Sequence, residues 1–409
     1  MPPGMSDPTP RGGASAPPRF GSPSASLWLG RPGTPTPLAY FLDRAREGGA
    51  PQALQAARAR GRRIIGVFCS FIAEELLLAL NVVRVRLCAG LTGRPPADLP
   101  RDTCPVVRGA LALLELPPLA GLLDGVVVPT TCDWKVQTVR RLMTHLPVWE
   151  VEVPRAPEPE ALAAELRRLA SDLGELTDFT LTARSLAEAI ASVNRARVAH
   201  RRLEALRRRP RPPLSGCEAM LIADTYAYGD LPGWTEACEA LVGELEQIAP
   251  SSPPRPRLLL AGSPMIWPNF KVPELVEETG GLIVGDDFCS RASRLEAPDV
   301  QPAPLRDMLR ALAVRALEPC TCGVLGQRNE RERVVAQARA LDADGVVCHY
   351  LRGCAPVAAN QAALLRALRE AGVPALTIET DAGEEDVERL RTRIEAFIEL
   401  LNTRGRFDA

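Results

Sequence analysis

Short, β-branched apolar runs that stop abruptly at polar corners organise this 409-residue chain. Arg63–Phe68 (RIIGVF), Val82–Leu87, Gly125–Pro129 (GVVVP) and Trp149–Val153 form one set. Leu258–Ala261 (LLLA), Leu282–Val284, Gly345–Cys348 and Ala375–Ile378 form another. Most lack the polar alternation of a half-exposed strand, which suits strands buried on both faces of a parallel sheet. Helical stretches separate them, as crossovers between parallel strands require. In the first set these are Gln52–Arg62, Ala73–Leu80, Cys104–Leu114 and Cys132–Met143. In the second they are Val272–Thr279, Leu305–Leu317, Glu330–Leu341, Ala358–Ala371 and Glu384–Leu401. The expected fold is α/β: two doubly wound parallel-sheet lobes of Rossmann or flavodoxin-like type. Their similar size and cysteine placement hint at a duplication, although no strict repeat is present.

The lobes are expected over 50–155 and 257–409, with a helical and linker region over 156–256 between them. In that region Glu158–Leu173 and Thr182–Arg209 are amphipathic, with a break expected around Gly174 and a cap at Thr182 or Ser185. The run Arg207–Pro213 reads as a linker. Residues 1–38 are rich in Pro, Ser and Gly with little to bury, and are expected to be a disordered tail.

Composition removes several function classes. With 49 basic and 50 acidic residues the net charge is -1, which argues against a nucleic-acid or anionic-membrane surface. The most apolar stretch, Ile64–Leu80, is interrupted by Glu74 and Glu75, so no membrane span is expected. With no secretory pattern at the N-terminus, a cytoplasmic location is expected.

Eleven cysteines in such a chain need an explanation, because the cytosol keeps thiols reduced. Ligands of open α/β sheets collect just beyond the carboxyl ends of the strands. Cys69, Cys132, Cys289 and Cys354 all stand at or soon after a strand end. Cys132 also starts a helix, where the dipole and free N–H groups favour a thiolate. An ordinary buried cysteine, with Thr131 or Asp133 as the cap, is the other reading there. Cys104 precedes Pro105 at another helix start, and Cys320 and Cys322 form a C-x-C pair. Thiolates gathered from distant loops are what an iron–sulfur cluster needs. Cys88, Cys217, Cys238 and Cys348 read as buried small hydrophobes.

Other chemistry finds little support. There is no paired C-x2-C, and His145, His200 and His349 stand at no ligand spacing, so zinc fits poorly. No G-x-x-x-x-G-K-[ST] or G-x-G-x-x-G loop occurs, so no nucleotide is expected on this chain. The loop Gly262-Ser263-Pro264 reads as a plain strand-to-helix turn before an anion cradle. The arginines of 195–211 read as a solvated face. Glu74 and Glu75 stand near Cys69 as proton donors in one reading, and as first-turn partners of a helix dipole in the favoured one.

Six blocks, in order, resemble the 2-hydroxyacyl-CoA dehydratase and benzoyl-CoA reductase subunit family (D-component). They are GVFCSFIAEEL, LPRDTCPVVRGAL, GVVVPTTCDWK, GGLIVGDDFCS, GVVCHYLRGC and IETDAGEEDVERLRTRIEAFIELL, spanning about Gly61 to Leu401. The T-T-C-D-x-K form at Thr130–Lys135, the Cys320/Cys322 pair and the extra Cys88 look closest to the double-cubane iron–sulfur proteins of that family. Ala73 stands where the family often has Pro, and Ala355-Pro356 where dehydratases often carry Asp or His. Both departures bear on substrate handling and leave the ligands intact.

The resemblance implies a 4Fe-4S cluster on Cys104, Cys132 and Cys354, or a double-cubane 8Fe-9S cluster. The second half of the larger group would fall on Cys69, Cys289 and Cys322, with Cys320 the alternate for Cys322. It implies low-potential electrons from a separate ATP-hydrolysing iron–sulfur activator, and a homodimer or a heterodimer with a related subunit. The implied activity is that of a lyase, dehydrating a 2-hydroxyacyl-CoA through a ketyl radical, or of an iron–sulfur reductase of small molecules. A non-catalytic electron-transfer subunit and a scaffold that has lost its cluster are the alternatives.

Overall fold

The computed structural model describes residues 37–45, 49–88, 99, 103–115, 119–142, 146–226, 229–248, 254–289, 295–318, 322, 324–325, 327–381 and 383–407. The expected tail lies outside these residues up to position 36. Its last expected residue, Leu38, instead opens a buried helix.

In chain order the elements are α1 (Leu38–Ala45), α2 (Gly49–Ala59), β1 (Arg63–Val67), α3 (Glu74–Ala79), β2 (Val82–Arg86), α4 (Pro105–Glu115), β3 (Gly125–Pro129), α5 (Asp133–Leu142) and β4 (Val148–Val151). The helical region follows as α6 (Pro159–Thr177), α7 (Ala183–Arg207), α8 (Gly216–Thr225) and α9 (Leu231–Leu245). The rest is β5 (Arg257–Gly262), α10 (Lys271–Glu278), β6 (Leu282–Asp286), α11 (Leu305–Leu317), α12 (Gln327–Ala340), β7 (Gly345–Leu351), α13 (Ala355–Glu370), β8 (Ala375–Thr380) and α14 (Val387–Phe407). Among the described residues no helix is long and apolar enough to cross a membrane.

All eight apolar runs form strands, in two four-stranded sheets ordered β2-β1-β3-β4 and β6-β5-β7-β8. Every pairing is parallel. Ile64, Ile65 and Val67 of β1, and Leu258, Leu259 and Leu260 of β5, have no exposed surface, because helices cover both faces. In each sheet the chain leaves the first strand toward one edge and returns to its other side. That reversal opens a crevice at the carboxyl ends of β1 and β3, and of β5 and β7.

The long helices join the lobes. Leu186, Ala189 and Ile190 of α7 pack in the core under the first sheet with Ile65 and Val67. Ala196, Ala199, Leu203 and Leu206 of the same helix pack in the core beneath the second sheet with Leu258 and Ile283. Thr182 and Ser185 both act at its start, in a reciprocal capping box. Although α11 lies between strands of the second sheet in sequence, its Met308, Leu309 and Leu312 pack with Leu162 and Leu166 of α6 in the first lobe.

Three expectations need correction. The helix expected to break at Gly174 runs on to Thr177 and stops at Asp178, in the left-handed region with φ 59. Gly174 is there for space, since a Cβ would meet the Phe179 carbonyl oxygen at 2.7 Å. The 207–213 segment is no free linker: the Arg257 guanidinium donates to the carbonyls of Arg208 and Arg209, each at 3.1 Å, and Leu214 is buried. The arginines of α7 are also not one solvated face. Arg195 and Arg202 pair with Glu239 and Glu246 at the surface, but Arg197 and Arg207 are buried, and Arg207 holds Glu204 and the Ile283 carbonyl.

Candidate metal centre

The two crevices supply most of the expected cysteines. In the second lobe Cys354 caps α13, whose first turn carries Pro356. In the first lobe Cys104 heads α4, and its carbonyl accepts from the Arg108 N–H at 3.0 Å. The two thiols hydrogen-bond to each other across the lobes. That bond lowers Cys354 from 9.0 to about 6, against burial and with help from the Val357 N–H and Ser263. The same bond, with burial, pushes the Cys104 thiol far up. One thiolate and one thiol therefore share a proton.

Ser263 is placed by backbone geometry. Gly262 has φ +107, and a Cβ there would stand 2.0 Å from the His349 oxygen, so the end of β5 lies hard against β7. Ser263 then donates its N–H to His349 O at 2.8 Å, and its hydroxyl accepts from the Leu351 N–H at 3.1 Å. The Gly262-Ser263-Pro264 loop is thus part of the Cys354 surroundings, beyond the plain turn expected.

A second group of sulfurs lies beyond β1. Cys69 has φ 58, a conformation that ends the strand and turns its N–H toward the Cys88 sulfur at 3.5 Å. The Lys135 ammonium donates to the Cys69 sulfur at 3.0 Å and to the Thr131 hydroxyl at 2.8 Å. A hydrogen bond from Cys88 holds the Cys69 thiol well below its ordinary range, against burial, and Lys135 and Thr131 add to it. Cys88 is pushed up by that bond and by burial. Burial alone would lower Lys135, but the sulfurs of Cys69, Cys88 and Cys322 outweigh it and raise it. Cys322 is itself raised by burial and by the nearby Cys69 and Cys289. Lys135 is 3% exposed and makes no ion pair with a carboxylate among the described residues, so its counter-charge is sulfur.

Cys132 heads α5 beside Thr131, with its carbonyl accepting from the Val136 N–H at 3.2 Å. Cys320 and His145 lie outside the described residues. The structure brings Cys104 to Cys354, and Cys69 to Cys88. Among the described residues no three or more His, Cys, Asp or Glu side chains are close enough to hold one metal ion. The donor chemistry nevertheless fits an iron–sulfur group. Cys69, Cys104, Cys132, Cys289, Cys322 and Cys354 are all partly exposed, whereas Cys88, Cys217, Cys238 and Cys348 are buried. Sequence reasoning read Cys88 as a buried small hydrophobe, which it is, but did not place its sulfur against Cys69, and it missed the charge role of Lys135. The signals for Lys135 are its place in the T-T-C-D-x-K form and its i,i+4 spacing from Thr131 on a helix start.

Glu74 and Glu75 do lie in the first turn of α3, but the dipole is not their main partner. Glu75 is fully buried and pairs with Arg315 at 2.6 Å, 240 residues on. Burial would push its carboxyl up; Arg315 and Arg197 outweigh that and hold it low, so it is a poor proton donor. Glu74 pairs with Arg84 at 2.9 Å and accepts from the Tyr226 hydroxyl, and burial raises it.

Comparison with known proteins covers most of the chain. The sequence model of the 2-hydroxyglutaryl-CoA dehydratase D-component family matches residues 69–401. YjiM of Escherichia coli (strain K12), assigned as a dehydratase subunit, is 30% identical over 363 residues, covering 84% of this chain and 92% of its own. The (R)-phenyllactyl-CoA dehydratase beta subunit of Clostridium sporogenes is 24% identical over 352 residues, covering 83% and 92%. The (R)-2-hydroxyglutaryl-CoA dehydratase subunit beta of Acidaminococcus fermentans is 24% identical over 365 residues, covering 84% and 94%.

Proposed function

Because this chain belongs to the 2-hydroxyglutaryl-CoA dehydratase D-component family, we propose that it is the iron–sulfur subunit of a dehydratase acting on a 2-hydroxyacyl-CoA thioester. The observation that carries this reading is the division of the cysteines: the six expected as ligands are the partly exposed ones, and the four described as buried are not among them. A packing role would bury all of them alike.

In this reading Cys104, Cys132 and Cys354 hold a 4Fe-4S cluster, and Cys69, Cys289 and Cys322 hold the second half of an 8Fe-9S group. Such a group supplies one-electron reduction at low potential and a Lewis-acid site for the substrate oxygen. The protein's own part is positional and electrostatic. The helix starts at α4 and α13 present the N–H groups of Val106, Val107 and Val357 to the Cys104 and Cys354 sulfurs, and Cys132 stands at the start of α5. Ser263 and the Val357 N–H stabilise anionic sulfur at Cys354, and in the metal-free chain the Cys104 thiol does so too. The buried Lys135 ammonium compensates negative charge around Cys69. Electrons come from an ATP-hydrolysing iron–sulfur activator, since this chain carries neither phosphate-binding glycine motif. Reduction of a small molecule is the alternative activity, favoured by the sulfurs gathered around Lys135.

Iron and sulfide analysis of anaerobically purified protein tests the proposal. About four irons per chain indicates one cubane and about eight the double cubane. Fewer than about three would defeat it. Cys132→Ala should strip most cluster absorbance and leave the fold intact, while Cys238→Ala should leave the cluster absorbance unchanged.

A further inference from the structure

Behind the Cys69 loop lies a second polar interior that the proposed chemistry does not use. Ser70, Glu74, Glu75, Arg84, Arg197 and Arg315 line a cavity of about 20 Å³, counted as the space open to the centre of a water molecule. A water-sized particle needs roughly 10–15 Å³ on this measure, so there is room for one or two.

The charges around it do not balance. Glu74 is taken by Arg84 at 2.9 Å and Glu75 by Arg315 at 2.6 Å. That leaves Arg197, which is 2% exposed. Its nearest carboxylate oxygen is 4.0 Å away, and is the Glu75 oxygen that Arg315 already holds. Its Nη1 donates to the Ala297 carbonyl at 3.1 Å, which supplies a dipole but no charge. Among the described residues lining the cavity, three buried guanidinium groups thus face two carboxylates; Asp299, which also acts on Arg197, is held by Arg201 at 2.7 Å.

Hydrogen bonding is incomplete at the same place. Arg197 Nε, Arg315 Nη1 and Glu75 Oε2 are buried with no partner. A buried donor without an acceptor is costly, and a buried charge without a counter-charge is costlier. Two waters would satisfy these atoms but leave the surplus positive charge in place. An anion accepts from both arginines and neutralises that charge together, and a single water beside it donates to Glu75 Oε2.

We propose that this cavity binds one small monovalent anion, of halide size, between Arg197 and Arg315. The site joins the Cys69 loop and α3 of the first lobe to α7 and to α11, the helix that leads toward Cys322. Binding there braces the approach to both sulfurs without touching either, and it does not depend on iron.

The test is a bromide soak. Crystals of the full chain, grown from glutamate salts and transferred briefly to bromide, should show an anomalous difference peak in contact with Arg197 and Arg315. Absence of a peak there, or ordered water alone in its place, overturns the proposal. In solution, bromide should raise the melting temperature above that in glutamate at equal ionic strength, and Arg197→Met should abolish the rise. An equal rise in the variant would put the anion elsewhere and also overturn it. Should Arg197→Met fail to fold, the crystal experiment on the wild-type chain decides alone.

Discussion

Metal-free protein should react with a small disulfide at Cys354 with a pH midpoint about 6, three units below an ordinary cysteine at 9.0. At pH 7 that sulfur is then about 90% thiolate, against about 1% for an unperturbed thiol. The gain is not the whole rate ratio, because nucleophilicity falls as the thiol becomes more acidic. A Brønsted slope of about 0.4–0.5 over three units removes about 15- to 30-fold. A net advantage of about 3- to 6-fold at pH 7 remains, growing as the pH falls toward 6. The assay is exchange with 2,2′-dithiodipyridine across pH 5–9, with the modified peptide identified by mass spectrometry. Cys354 is partly exposed, so the reagent reaches it. Cys104→Ala removes the largest cause of the shift and should move the midpoint upward by more than one unit. A wild-type midpoint near 9, or one unmoved in Cys104→Ala, refutes the shared proton. Loading with iron should protect Cys354 from the reagent altogether.

Lys135→Met removes the ammonium 3.0 Å from Cys69, so the reactivity of Cys69 at pH 7 should fall in the same assay while that of Cys354 stays. Glu75→Gln leaves Arg315 and Arg197 facing a neutral amide, and should cost about 3–5 kcal/mol in urea unfolding; a loss under about 1 kcal/mol would show the pair to be solvated. His200 is buried, stacked on Trp234 and 3.8 Å from Glu204 but without a hydrogen bond, and burial lowers it from 6.5 to about 4. The folded chain holds it neutral while the unfolded chain takes up a proton below 6.5, so stability falls as the pH drops from 6.5 toward 4. His200→Leu should remove about 2 kcal/mol of the stability loss between pH 7 and 5, read from urea midpoints at the two pH values.

What was legible in the sequence follows from what local chemistry can encode. All eight strands were, because apolar, β-branched runs such as IIGVF and GVVVP mark them, although Arg63 is exposed and the edge strands β4 and β8 are only half-buried. By contrast α8 is buried on all sides, so Gly216–Thr225 shows no amphipathic stripe to read. Only the spacing of Ser215 and Glu218, a capping box, marks its start. The short α1 is masked by the Pro-, Ser- and Gly-rich composition before it, and its Phe41 is recognisable as core only beside Trp234. At the candidate centre, Cys354 and Cys132 were findable because strand ends and helix starts are local features. The approach of Cys88 to Cys69 was not, since it follows from β2 lying next to β1, where Leu87 N–H reaches Val67 O. The pairing of Glu75 with Arg315 has no local signature at all.

One consequence concerns α7, whose two halves belong to different cores. Its 25 residues make a rod about 37 Å long, and the phase between its ends is set by the helical repeat alone. Inserting one residue midway would turn one half by about 100° against the other, so Leu186 and Leu203 would no longer face their cores together. Two added turns would nearly restore the phase but drive the ends about 10 Å farther apart. The helix therefore acts as a gauge, and its length is more tightly constrained than the identity of most residues along its outer side.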